Sequence, residues 1–296
     1  MVTFGEKSMD FERYAVSNQR EKLAVRVYRS QEMTQSPAVL LCNGFCSIQD
    51  VLLPDIAAQF VQAGYHAITF DYRGFGDSEG EPGRVVPACQ IEDIISVLQW
   101  CQSQEFIDPA RIGLWGTSLG GCHVFEVAVR HPDVKCIISQ MAFADGEFLV
   151  TQDMELSEKK RFMATLTRMA RKKKLTGEEL LVPIIKVMTD EESRIFFKQL
   201  KKDYPASDIA IPYLTVLEAI LYRPAEAAAQ VLQPTLVMLA EKDKVVPVAN
   251  GIALYQAITA EKSCRIQLNA SHYDMFRPPH LPEVAAQEIE WLRAHL

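Results

Sequence analysis

Apolar residues in this chain gather into short continuous runs, and between the runs lie stretches with helical spacing. The first two runs, "FERYAVS" (11–17) and "KLAVRVYRS" (22–30), are half apolar and flank the turn-like "NQRE", which predicts an antiparallel strand pair. "PAVLLCNG" (37–44) is apolar throughout and ends in glycine, the pattern of a strand buried on both faces. From there strands and helices alternate. "LPDIAAQFVQAG" reads as a helix stopped by Gly64, "YHAITFDY" as a buried strand and "CQIEDIISVLQWCQS" as an amphipathic helix. "RIGLWGT" is again a strand, a helix starts at Ser118, and "KCIISQM" is the sixth strand. After an interruption the alternation resumes with "PTLVMLA", a helix around "NGIALYQAIT", the short strand "CRIQLN" and the final helix "PEVAAQEIEWLRAHL". This order predicts an α/β fold: a mostly parallel central sheet covered by helices on both faces, with ligands at the carboxyl ends of its strands.

The interruption, residues 148–224, carries no strand pattern and is expected to be wholly helical. Phe162, Met163, Leu166, Met169 and Ala170 share one helical face, with Ser157 placed to cap that helix. Thr176 with Glu179, and Thr189 with Glu192, match the capping-box spacing. "IPYLTVLEAILYRP" supplies a last apolar helix ending before Pro224. The expected organisation is a core of residues 1–147 and 225–296, with residues 148–224 as a helical cap over the carboxyl edge of the sheet.

The chemistry centres on "GTSLGG" (116–121), where a buried strand turns directly into a helix. A serine at such a turn is held in a strained conformation, and the residues two before and two after it come close together. Gly116 and Gly120 supply the small residues that this closeness needs. Ser118 is therefore the candidate nucleophile, its hydroxyl raised above the sheet edge beside a helix amino terminus. A serine needs a base and an orienting acid. His272, in "LNASHYDMFRPP" after the last short strand, is placed to hang over Ser118; His66, His123, His131, His280 and His295 suit structural or solvated roles. Asp243, directly after "PTLVMLA", is the first choice of acid. Asp145, which also follows a strand near the elbow, is the alternative, and Asp274 lies too near His272 in sequence to face it easily. For the oxyanion, one donor is expected from the Leu119 N–H and a second from the 43–46 loop, at the Phe45 N–H.

Composition narrows the setting. The 296 residues are 48% apolar and 23% charged, as in an ordinary globular protein with a sizeable core. No run is long enough for a membrane span, and the amino terminus shows no signal-peptide pattern. Seven scattered cysteines without a C-x-x-C pair suit buried thiols in a reducing compartment, so a cytoplasmic protein is expected, without metal or cofactor and without stable membrane association. Cys46 and Cys122, although close to the candidate site, have no basic neighbour to activate them. A net charge of −7 argues against nucleic-acid binding. Residues 157–174 depart from that average, with eight Lys or Arg against the single Glu158. This run is either a solvated helix face or a surface that steers an anionic acyl donor.

Taken together, "CNGFCS", "FDYRGFGDSEG", "GTSLGG", "AEKDKVVP" and "ASHYDMF", in that order, make the chain resemble the α/β-hydrolase superfamily. It is most similar there to serine hydrolases related to dienelactone hydrolases and Xaa-Pro peptidase-like acyl hydrolases, a group that includes polyketide acyltransferases. The resemblance implies an α/β-hydrolase fold with the cap inserted after the sixth strand. It implies structural roles for Asp71, Arg73 and Gly74 in the turn after the fourth strand, and it departs from many relatives in having Asn43 where they carry histidine. The expected activity is cleavage of a small-molecule carboxylic ester or thioester through an acyl-enzyme on Ser118. Acyl transfer or thioester release from coenzyme A or an acyl carrier protein is the alternative, and a receptor-like binding module on the same fold is a third.

Overall fold

A computed structural model of the chain describes residues 9–30 and 35–296. The amino-terminal segment read above for a signal peptide, and with it the start of the expected core, falls largely in residues 1–8, outside the described residues. The hairpin β1 (Glu12–Asn18) and β2 (Glu21–Tyr28) leads into β3 (Ser36–Cys42), α1 (Leu53–Gln62), β4 (His66–Phe70), α2 (Pro87–Gln102), β5 (Ile107–Thr117), α3 (Leu119–Arg130) and β6 (Ile137–Gln140). An inserted segment follows: α4 (Gly146–Thr151), α5 (Leu156–Thr176), β7 (Leu181–Pro183), α6 (Glu191–Asp203), β8 (Ala210–Pro212) and α7 (Thr215–Leu221). The chain then closes with α8 (Pro224–Ala228), β9 (Thr235–Ala240), α9 (Val248–Ala257), β10 (Lys262–Gln267) and α10 (His280–His295).

Eight strands form one sheet in the order β1-β2-β4-β3-β5-β6-β9-β10. Pairing is antiparallel from β1 through β2 to β4 and parallel across the remaining strands. The wholly apolar runs occupy the centre, and β4, β6 and β9 are buried at every position, whereas the mixed run of β10 lies half exposed at one edge. Helices flank the sheet: α1 packs with α10, while α2, α3, α8 and α9 pack in succession. The turn after β4 is structural, as expected. Buried Asp71 accepts hydrogen bonds from the Gln49 N–H (2.7 Å), the Gln49 amide (2.9 Å) and the Asp77 N–H (3.0 Å). Arg73 pairs with Asp93 at 2.7 Å, and Gly74 takes φ +76 where a Cβ would stand 2.1 Å from the Glu81 carbonyl oxygen.

The inserted segment differs from the expectation in four places. It is not wholly helical, because β7 and β8 pair antiparallel with Val182 opposite Ile211. Pro183 and Pro212 bar a helix at both strands, and short alternating runs then pair more readily than they coil. Ser157 does not cap α5: the helix already begins at Leu156 behind Glu155. Thr176 begins no helix either, because Gly177 at φ +74 ends α5 immediately after it. Finally, α6 is capped by Asp190 rather than Thr189, with the Asp190 carboxylate accepting from the Ser193 N–H at 2.8 Å. The shift leaves Glu192 one position too early to complete a capping box.

On α5 the basic run divides by face. Lys159, Lys172 and Lys173 pair with Glu147, Glu178 and Glu179. The cysteines are all free thiols, five of them buried. Among the described residues no helix is long and apolar enough to cross a membrane.

One buried group makes stability depend on pH. Trp115 on β5 is fully buried and donates its indole N–H to Glu288 of α10 at 2.9 Å. Glu288 is itself fully buried, and the loss of hydration pushes its pKa up to about 8 despite that bond. The folded protein thus holds this proton well past the point where the unfolded chain, near 4.5, releases it. Its stabilising contribution is complete below the unfolded value and is lost as pH rises through the folded one. Glu288→Gln keeps an acceptor for Trp115 and removes the titration. Urea unfolding of variant and parent from about pH 5 to about pH 8.5 should show the variant gaining steadily on the parent. A pH-independent difference would show that Glu288 does not titrate in this way.

Candidate active site

The elbow is the most constrained point of the chain. Ser118 sits between the last residue of β5 and the first of α3 with φ +53 and ψ −119, a left-handed conformation that side chains rarely adopt. Its N–H donates to the Gln140 carbonyl at 2.8 Å, which ties the turn to β6. The flanking glycines are obligatory. A Cβ on Gly116 would lie 2.3 Å from the Gly120 carbonyl oxygen, and one on Gly120 would lie 2.3 Å from the carbonyl oxygens of both Cys42 and Asn43. These contacts press the elbow against the end of β3 and the loop that follows it.

That loop passes over the serine: a Cβ on Gly44 would meet the Ser118 Cβ at 3.3 Å. Asn43 is buried and accepts the Gly44 N–H through its side-chain oxygen at 3.0 Å. Among the described residues, the backbone N–H groups of Phe45 and Leu119 have no hydrogen-bond acceptor. Two free donors beside a serine hydroxyl, one at the amino terminus of α3, are what a developing oxyanion needs.

The structure brings His272 and Asp243 together as the sequence pattern suggested. Asp243 follows β9, and its Oδ1 accepts from the N–H groups of Val245 and Val246, each at 2.8 Å. Its Oδ2 faces His272 Nδ1 at 2.7 Å. With Nδ1–H donated to the carboxylate, Nε2 is the nitrogen left to act as a base. Burial alone would lower the His272 pKa, but the Asp243 carboxylate, with Glu192 and Asp190 behind it, outweighs that effect and raises it. His272, Ser118, Gly44 and Phe45 line one pocket of about 30 Å³, together with Met188, Phe196 and Phe197 from the inserted segment and with Tyr273 and Phe276.

The alternatives are engaged elsewhere. Asp145 caps α4, accepting from the Phe148 N–H at 2.8 Å, and pairs with Arg223. Asp274 accepts the backbone N–H of Ser271. His123 lies fully buried between Tyr222 and Gln90, each at 3.0 Å, where lost hydration pushes its pKa down to about 3. Burial raises the pKa of the Cys46 and Cys122 thiols, which keeps them protonated. The sequence reading missed the contribution of α6. Glu192 accepts the His272 backbone N–H at 3.2 Å, Ser193 Oγ lies 3.1 Å from the Tyr273 hydroxyl, and Phe196 stacks on the Tyr273 ring at 4.2 Å. The adjacent Phe196 and Phe197 within an amphipathic helix were the one available signal, and they read equally well as ordinary core.

The fold, the elbow and the order of these residues define a class. The family model for the α/β-hydrolase fold matches residues 37–279, and the chain belongs to that family. It is 51% identical to an uncharacterised 31.7 kDa protein from the traX-finO intergenic region of Escherichia coli, over 88% of this chain and 91% of that one. The quorum-quenching protein AidA of Acinetobacter baumannii is 27% identical over 76% of each chain. The thiohydrolase aneE of Aspergillus aculeatus is 25% identical over 86% of this chain and 83% of its own. Among solved structures, the α/β hydrolase GrgF from Penicillium sp. superimposes with a TM-score of 0.81 at 18% identity, over 97% of this chain and 99% of that one. The polyketide transferase grgF of Penicillium sp. is 29% identical over 42% of each chain.

Gly120→Ala forces a Cβ into two carbonyl oxygens and should destabilise the fold by about 1–3 kcal/mol, read as a lower urea midpoint. An unchanged midpoint would mean that the elbow is looser than described.

Proposed function

We propose that this protein is a serine hydrolase that cleaves a carboxylic ester or thioester through an acyl-enzyme on Ser118. The observation that carries the reading is the 2.7 Å contact between Asp243 and His272 Nδ1 in a pocket that also exposes Ser118. In the first half-reaction, the Ser118 hydroxyl oxygen attacks the substrate carbonyl carbon while His272 Nε2 takes its proton. The carbonyl oxygen becomes an alkoxide, stabilised by the N–H groups of Phe45 and Leu119, each such donor being worth ~3 kcal/mol. Collapse expels an alcohol, protonated by His272, or a thiol. In the second half-reaction, water gives its proton to His272 and attacks the ester carbonyl; the acid leaves and Ser118 recovers its proton.

Asp243 holds the imidazole in the required tautomer and favours the imidazolium that forms twice per cycle. The pocket wall is aromatic and apolar, which supports an apolar acyl group. Acyl transfer is the second reading, and the same wall supports it. In that reading the acyl group passes from Ser118 to a second alcohol, amine or thiol in place of water. The names of the relatives span both outcomes, a thiohydrolase and a polyketide transferase. In either reading the donor is a small-molecule acyl ester, or an acyl group on coenzyme A or an acyl carrier protein.

Ser118→Ala should lower kcat for p-nitrophenyl and thioester substrates of graded chain length by several orders of magnitude, with the fold intact by circular dichroism. Near-parental turnover would exclude Ser118 as nucleophile. The pH dependence follows from the raised His272 pKa. His272 must be neutral to act, so kcat/KM falls on the acid side as the ring protonates. Asp243→Asn removes the foremost influence raising that pKa. The acid limb should move to lower pH while the rate at its plateau drops on the order of 10⁴. A limb that stays in place would mean that Asp243 does not govern the base.

A further inference from the structure

The core alone does not hold His272. Asp243 fixes the ring, and the Lys242 N–H bonds the Ala270 carbonyl at the root of the loop at 2.8 Å. Beyond that root, the holds on His272 and Tyr273 come mainly from α6. The Glu192 carboxylate accepts the His272 N–H at 3.2 Å. One residue on, Ser193 reaches the Tyr273 hydroxyl, and one helical turn after Glu192, Phe196 lies flat on the Tyr273 ring with an interplanar angle of 10°. Three side chains of α6, at positions i, i+1 and i+4, therefore grip two consecutive loop residues, His272 and Tyr273. The displaced helix cap is what aims them: with Asp190 at the cap, Glu192 turns to the loop instead of folding back on its own helix.

The same helix walls the pocket. Phe196 and Phe197 of α6 line it beside Ser118 and His272, so a movement of α6 changes the space over the serine and the hold on the histidine together. Withdrawal of α6 takes Glu192 away from His272.

We propose that Glu192 is a positioning residue for His272, and that docking of α6 both encloses the acyl group and completes the placement of the base. Opening the site and disarming it are then the same motion, and the histidine is fully held only over an enclosed substrate. The inference rests on the acyl-enzyme reading for its chemical meaning, but not for its geometry. The charged and titratable groups around His272 are Asp243 from the loop after β9, Glu192 and Asp190 from α6, and Tyr273 and Asp274 from its own loop. The Glu192 charge works in the same direction as that of Asp243 and raises the His272 pKa. Glu192 itself is raised by partial burial and by the nearby Asp243.

The test is an NMR pH titration of ring-labelled histidine in the full-length protein, with the His272 signal identified by its loss in His272→Gln. It compares the parent with Glu192→Gln and Glu192→Ala, each checked for folding by its thermal midpoint. Glu192→Gln keeps an acceptor for the His272 N–H but loses the charge, so the His272 midpoint should fall by roughly 0.5 in pH. Glu192→Ala loses both, and kcat for a reactive ester should also drop about tenfold with little change in KM, whereas Glu192→Gln recovers part of that loss. A titration midpoint that does not move in either variant overturns the proposal, as does a Glu192→Ala enzyme with parental kcat. If the parent turns over no ester at all, the acyl-enzyme reading fails, and the titration, which needs no substrate, still decides whether Glu192 positions His272.

Discussion

The constraint on which the site depends is the crossing of β5 into α3 at Ser118. No residue with a side chain at position 116 or 120 fits the contacts made there, and Ser118 itself is held at a positive φ. Such strain persists only where the surroundings over-determine it. Here they do: the elbow is tied to β6 through Gln140 and pressed on the end of β3, so the serine and the 43–46 loop cannot move independently. The free N–H groups of Phe45 and Leu119 and the hydroxyl are consequently pre-positioned by the strands rather than by the substrate, which is the condition under which oxyanion donors are most effective.

This dependence explains what the sequence disclosed. The sheet, its antiparallel opening pair and the flanking helices follow from hydrophobic period, because burial on both faces demands apolar runs and burial on one face demands alternation. The elbow was legible because its steric demand falls on residue identity: a glycine, two positions either side of a serine, where strand turns to helix. Asp243 and His272 were legible from their places after β9 and β10, and the structure joins them at 2.7 Å where Asp145 and Asp274 are engaged elsewhere. The inserted segment was less legible for a physical reason. Its helices start among several adjacent polar residues that compete as caps, and they are partly packed on loops rather than on the sheet. A shift of one residue, from Thr189 to Asp190 at the start of α6, changes where Glu192 reaches. No local pattern encodes that shift. The β7–β8 pair was missed likewise, since three-residue strands leave too little period to read.

Core and insertion divide the work between them. In the proposed reading the core sets the nucleophile, the oxyanion donors and the acid. The insertion supplies the apolar wall and grips the loop that carries the base. Substrate choice and the fate of the acyl group would therefore be tuned mostly by Met188, Phe196 and Phe197, on a part of the chain where sequence can change without disturbing the elbow. Relatives named as a thiohydrolase and a polyketide transferase fit such a division.

The central claim is a covalent acyl group on Ser118. It is tested most directly by intact-protein mass spectrometry after mixing with an activated acyl ester and, separately, an acyl thioester, followed by peptide mapping of any adduct. The account predicts a stoichiometric mass increase equal to the acyl group, located on Ser118 and decaying in water. An adduct on another residue, or product formed with no adduct even when the reaction is quenched within the first turnover, would contradict it.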